Sequence, residues 1–156
     1  MSLAENLLNS LPNNANENSR IGGSGEEEPH IVVDSSRKIT VPDSLRLIAV
    51  KGDKDIETVT IDCIRYWDGN DLSAFAIEII CELPNGSEVT YTPNEKIIAE
   101  TYFSFDWLIG RDFTNHSGKL TFWIVAKKLN EDGTLDKQWS SLQNDECSVA
   151  IGSKTT

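Results

Sequence analysis

Along most of this chain apolar side chains return at every second position. Val59, Ile61 and Cys63 alternate with Thr58, Thr60 and Asp62, and Phe75, Ile77, Ile79, Cys81 and Leu83 form a longer row whose other face carries Glu78 and Glu82. Phe103, Phe105, Trp107 and Ile109 alternate with Ser104 and Asp106, while Leu120, Phe122, Ile124 and Ala126 make another row. A period of two is that of a strand with one buried face, so these rows predict two sheets that bury them against each other. Ile31-Val32-Val33 and Lys38-Ile39-Thr40-Val41 are earlier strand candidates, with a break at Pro42-Asp43. Leu45, Leu47 and Ala49 are read as inward-facing before the turn at Lys51-Gly52-Asp53, and Cys147, Val149 and Ile151 as a closing strand.

Turn chemistry supports this reading. Pro84-Asn85-Gly86 and Asp132-Gly133 contain dipeptides that tolerate positive φ, which is what tight hairpins require. The expectation is therefore an all-β, antiparallel β-sandwich over residues 29–152, folded as consecutive hairpins. Trp123 and Val125 fall on the face opposite the Leu120 row. If exposed, they mark an interface; if covered, they are ordinary packing.

The first 28 residues have a different texture. Ser2-Leu3-Ala4-Glu5 has the form of a capping box, and Leu3, Leu7 and Leu11 recur every four residues until Pro12 ends the pattern. A helix this short is marginal alone in water, so the leucine stripe calls for a partner. From Asn13 to Glu28 the polar, glycine-containing sequence has almost nothing to bury and reads as a flexible linker. Residues 153–156 read as a loose tail.

With 156 residues the chain is long enough for one hydrophobic core. It carries 25 acidic against 14 basic residues, a net charge of −11, which repels phosphate-rich partners and argues against nucleic-acid binding. No run approaches the roughly 18 apolar residues of a membrane span, and Met1-Ser2-Leu3 opens without a basic region leading into an apolar stretch. The expectation is a protein made in the cytoplasm, with no membrane partner. Cys63, Cys81 and Cys147 each fall at an inward strand position and read as buried free thiols.

Candidate chemistry is sparse. The two histidines, His30 and His116, make no metal-ligand pair, and a thiolate would be unstable in the apolar rows that hold the cysteines. Asp53 and Asp55, and the Trp67-Asp68-Gly69-Asn70-Asp71 segment, invite a calcium reading, but the spacing is not that of an EF-hand loop and side-chain-stabilised turns explain them better. There is no GxxxxGKS/T phosphate cradle and no GxSxG elbow. No catalytic residue, cofactor or metal is expected. Asp68 and Asp71 could act as a carboxylate pair only if they share a cleft, and Tyr66, Trp67 or Trp123 could stack on sugar rings if exposed.

Several segments resemble a known family. Glu28-Pro29-His30-Ile31-Val32-Val33, Ile39-Thr40-Val41-Pro42, Ile56-Glu57-Thr58-Val59-Thr60, Arg65-Tyr66-Trp67-Asp68-Gly69-Asn70-Asp71-Leu72-Ser73, Phe105-Asp106-Trp107-Leu108-Ile109-Gly110-Arg111 and Gly118-Lys119-Leu120-Thr121-Phe122 are similar to the N-terminal module of phage and prophage tail or baseplate structural proteins of Gram-positive bacteria, of the baseplate upper protein type. The likeness covers about four-fifths of the chain, and Tyr-Trp-Asp-Gly-x-Asp-Leu-Ser is its most specific element. It implies an immunoglobulin-like fold and a virion structural component that docks to neighbouring subunits in a tail, baseplate or capsid. Family members often continue into coiled-coil or fibre-like regions. With none after Gly152 here, the resemblance implies an attachment or decoration module. The implied partners are other virion proteins and further copies of this chain in a symmetric assembly, with contacts expected from Leu3, Leu7, Leu11, Tyr66, Trp67 and Trp123.

Overall fold

The computed structural model describes residues 28–143 and 148–153. The expected helix with Leu3, Leu7 and Leu11, the arm up to residue 27, Cys147 and the end of the tail lie outside the described residues.

The fold is all-β. Its first sheet contains β1 (Ile31–Val33), β2 (Ile39–Thr40), β4 (Glu57–Ile64), β9 (Lys96–Ile98) and β10 (Tyr102–Ile109), in the order β2-β1-β4-β10-β9. The second has the order β3-β13-β11-β7-β8, built from β3 (Leu47–Val50), β7 (Ala76–Glu82), β8 (Glu88–Tyr91), β11 (Gly118–Leu129) and β13 (Ser148–Gly152). A further strand, β12 (Leu135–Ser140), pairs with the far end of β11, and β5 (Tyr66–Trp67) with β6 (Asn70–Asp71) forms a separate small hairpin.

The long apolar rows meet as the alternation predicts. In the first sheet Val59 lies opposite Trp107, Ile61 opposite Phe105 and Cys63 opposite Phe103. In the second Ile77 lies opposite Ala126, Ile79 opposite Ile124 and Cys81 opposite Phe122. All twelve are buried, within one cluster fed by both sheets. Trp107 joins the sheets: its ring centroid is 5.2 Å from that of Phe122 in β11 and 5.3 Å, edge-on, from that of Phe113. Phe113 is supplied by α1 (Arg111–Thr114), the single helical turn that carries the chain from β10 to β11. Burial pushes the Cys81 thiol up to about 12 and the Cys63 thiol higher still, so both are neutral packing groups.

Three expectations change. The sheets are mixed, not purely antiparallel: β1 runs parallel to β4, and β3 parallel to β13. Nor is the chain a series of consecutive hairpins. The Asn85-Gly86 and Asp132-Gly133 turns do join β7 to β8 and β11 to β12, but the most extensive pairings, β4 with β10 and β7 with β11, link strands distant in sequence. Turn residues encode local pairs, whereas which hairpin joins which sheet depends on the faces that bury each other. Third, Leu47 was expected inward and is 59% exposed, while Ile48 and Ala49 are buried. The register of β3 against β13 shifts between Ala150 and Ile151, and such an irregularity at a sheet edge moves a side chain to the other face.

Candidate functional site: an aromatic pocket beside the Arg65–Ser73 segment

Between β4 and β7 the chain makes a short, heavily hydrogen-bonded excursion. Trp67-Asp68-Gly69-Asn70 closes a two-residue hairpin with φ of 49° at Asp68 and 82° at Gly69, the combination that a type I′ turn requires and that Asp-Gly adopts readily. The Asn70 amide donates to the carbonyls of Trp67 and Asp68. Arg65 clamps the base: Nε and Nη2 each donate to an Asp71 carboxylate oxygen at 3.1 Å, and Nη1 donates to the Ala99 carbonyl at 3.0 Å. Asp71 Oδ1 also accepts from the backbone N–H and hydroxyl of Ser73, capping a single 3₁₀ turn at Leu72–Ala74. The Arg65 hydrogen bonds, helped by those from Ser73, hold the Asp71 carboxyl down at about 2. Lys96, on β9, donates to the carbonyls of Ser73 and Phe75, tying an edge of the first sheet to the start of β7. Its partial burial lowers its proton affinity.

This excursion, the β1–β2 turn and β12 together border an open pocket of about 340 Å³, with Leu72 and Phe75 among its walls. The rings of Trp67 and Trp139 stand 5.9 Å apart at 59°. The guanidinium of Arg37 lies 4.5 Å from the Trp67 centroid and 5.6 Å from that of Trp139, within cation–π range. Arg37 Nη1 donates to the Ser140 carbonyl. On the rim, Lys137 Nζ donates to Asn70 Oδ1 at 3.2 Å. Trp139 is buried, and its indole N–H has no hydrogen-bond partner among the described residues.

Arg37 stands at a position where glycine is the usual residue. Asp34 organises the β1–β2 turn by accepting from the N–H groups of Ser36 and Lys38 and, through its carbonyl, from the Arg37 N–H. Arg37 completes that turn with φ of 70°. A left-handed conformation disfavours a residue with a Cβ by about 1–2 kcal/mol.

The site residues expected from sequence fall in different places. Trp67 lines the pocket, half-buried and packed on the core. Tyr66 points away on the neighbouring strand position; it is 54% exposed, with the Arg65 guanidinium 5.0 Å from its ring centroid. Trp123 is half-buried on the outer face of the second sheet, paired in register with Ile80. Val125, on the same face, is buried at 3% exposure, alongside the Glu78–Lys127 ion pair. This face is therefore partly covered. Asp68 and Asp71 do not share a cleft: Asp68 lines the pocket, while Asp71 is held by Arg65 and Ser73. Arg37, Lys137 and Trp139 went unread as site residues. The one available signal was an arginine in a tight turn where glycine fits best.

The outer face of the first sheet carries a second polar group. His30 Nδ1 lies 2.8 Å from Asp62 Oδ2, and the Ser104 hydroxyl donates to Asp62 Oδ1 at 2.5 Å. The carboxylate stands between the imidazole and the hydroxyl, so this order gives the serine no base of the kind an activated nucleophile requires. Among the described residues no group of three or more His, Cys, Asp or Glu side chains is arranged to hold a metal ion. No family model, curated protein or solved structure matches the chain.

Proposed function

We propose that this chain is a virion structural protein of a phage, an immunoglobulin-like β-sandwich that docks to neighbouring subunits of a tail, baseplate or capsid assembly. The observation that carries this reading is the character of the sheet edges. Strand β9 ends the first sheet, and its Ile97 and Ile98 are 76% and 52% exposed. β9 is only three residues long and begins with Lys96, which limits strand addition, but its two exposed isoleucines leave an apolar patch at the sheet edge for a partner subunit to cover. The exposed Leu47 and Val50 give the β3 edge of the other sheet the same character. The resemblance of the Arg65–Ser73 segment to phage baseplate modules supports the same reading.

The test is the assembly state of the chain by light scattering after size exclusion over a wide concentration range. The expected result is self-association that Ile97→Lys shifts toward monomer with the fold unchanged by circular dichroism. A chain that stays monomeric throughout, and equally so in the variant, removes edge-mediated self-assembly. A second reading, a carbohydrate- or cell-surface-binding domain, is favoured by one observation: the open pocket beside half-buried Trp67, with its rim of Arg37, Asp68, Asn70 and Lys137.

A further inference from the structure

We infer that the outer face of the first sheet is a docking groove for the segment of a neighbouring copy that carries Leu3, Leu7 and Leu11. The inference rests on the reading of this chain as a module that docks to its neighbours, and it names the partner segment and the surface that receives it.

Strand register builds the groove. Phe103, Phe105 and Trp107 on β10 are buried in the core, so Ser104, Asp106 and Leu108 face outward. Thr58 and Thr60 of β4 stand opposite Leu108 and Asp106, and Ile97 of β9 stands opposite Ser104, all on that face. Two cavities of about 310 and 320 Å³ adjoin there, with Glu95 and Asp106 in the walls of both. One extends to Leu108 and Tyr91, the other to Ile97 and His30. Ile97 is 76% and Leu108 36% exposed. Each end of the groove thus presents a large apolar side chain, on a face that a two-layer sandwich normally fills with polar ones.

The leucine segment fits this spacing. Four residues separate Ser104 from Leu108, roughly 14 Å along a strand, and Ile97 lies beside the first of them. Wound as the helix that its capping box and leucine spacing predict, the stripe from Leu3 to Leu11 is roughly 12 Å long. Its end leucines therefore span the distance between the two exposed apolar side chains. Charge is compatible as well. Glu5 is the one charged side chain in residues 1–12, so the acidic groove does not repel this segment as it would most of a chain of net charge −11. Asn6, Asn9 and Ser10 bring N–H and O–H donors that the carboxylates of Glu95 and Asp106 can accept.

The path of the chain brings the segment to this surface. The described residues begin at Glu28, and His30, bonded to Asp62, already lines the groove. The arm thus joins the domain beside the groove. Residues 13–28 read as a linker, and a polar linker of that length spans roughly 20–24 Å, more than the groove itself and enough to carry the leucines onto a molecule in contact at the β9 edge. A helix of this length is marginal alone in water, and burying the stripe in the groove supplies the apolar contact it lacks.

The experiment replaces Leu7 of the full chain with the photocrosslinking amino acid benzoylphenylalanine, mixes isotope-labelled and unlabelled copies, and locates the crosslinks by mass spectrometry. Self-association is measured in parallel by light scattering for Leu3→Asp/Leu7→Asp and for Leu108→Asp. Crosslinks are expected between labelled and unlabelled copies, from position 7 to residues 94–108. Both variants should weaken association by roughly tenfold or more, since burial of a leucine is worth that much, with circular dichroism unchanged. Crosslinks to the groove within single copies alone overturn the assignment to a neighbour, because the groove is then filled by its own arm. Crosslinks elsewhere overturn the inference. Association that either variant leaves unchanged, while Ile97→Lys still weakens it, overturns the inference and leaves docking at the sheet edge standing. A chain that stays monomeric throughout removes both this inference and the self-assembly on which it rests.

Discussion

The core between the sheets and the pocket beside Arg65–Ser73 are made on opposite terms. In the core, apolar side chains supplied by regular alternation face one another, and Trp107, Phe103, Phe122 and Ile79 are all below 2% exposed. None of these residues has a positive φ. The pocket draws on a β-turn, a miniature hairpin and a late strand, and it contains two left-handed non-glycine residues and a stacked cation. One region is specified redundantly by burial, and the other by a few directional contacts at some conformational cost. Stability should therefore reside in the first, and recognition in the second.

The sharpest test of that division is truncation at its centre. Trp107→Ala removes the ring that touches both Phe113 and Phe122 and should destabilise by about 3–5 kcal/mol in denaturant unfolding. A loss below about 1 kcal/mol would mean that the two sheets do not depend on each other as their packing requires.

The next effect is in acid. The Asp71 carboxyl is held at about 2 in the folded protein, against an ordinary value of 3.8. A depressed folded value gives stability that is complete above the ordinary value and is lost as pH falls through the folded one. Thermal melting should thus decline between about pH 4 and pH 2, and Asp71→Asn should lower the melting temperature at neutral pH and flatten this part of the decline. An unchanged acid profile in the variant would place the loss of stability on other carboxylates.

The smallest stability effect is expected at Arg37, and it separates the two regions most cleanly. Arg37→Gly relieves about 1–2 kcal/mol of backbone strain and gives up a cation–π contact of about 0.5–1 kcal/mol. Lost side-chain packing and the greater freedom of glycine in the unfolded chain oppose the gain, so unfolding free energy should move by no more than about 1 kcal/mol. A loss as large as that of Trp107→Ala would make the pocket part of the core instead of a structure built upon it.

Much of the first region could be read directly. The rows at 59–63, 75–83, 103–109 and 120–126 are buried as their alternation implies, because every second side chain of a strand must share one environment. Leu47 departs from the pattern since a short edge strand with a register shift is not bound by strict alternation. The second region was legible in part. The Tyr66–Ser73 motif stood out as the most specific segment, but nothing in it announced that Asp71 would cap the following 3₁₀ turn and pair with Arg65. Arg37 and Trp139 are far from Trp67 in sequence, and nothing local announces that the two rings and the cation converge.

By itself, the amino-acid sequence determined that this chain is all-β, which faces of its long strands are buried, where the Asn85-Gly86 and Asp132-Gly133 hairpins turn and that Cys63 and Cys81 are buried, neutral thiols. Each of these follows from short-range periodicity, turn stereochemistry or the simple cost of charging a buried thiol. Only the tertiary structure decided the parallel pairing of β1 with β4 and of β3 with β13, the distribution of hairpins between the sheets, and the meeting of Arg37, Trp67 and Trp139 around one pocket. These depend on contacts between residues distant along the chain, which form when apolar faces find the partners that bury them best.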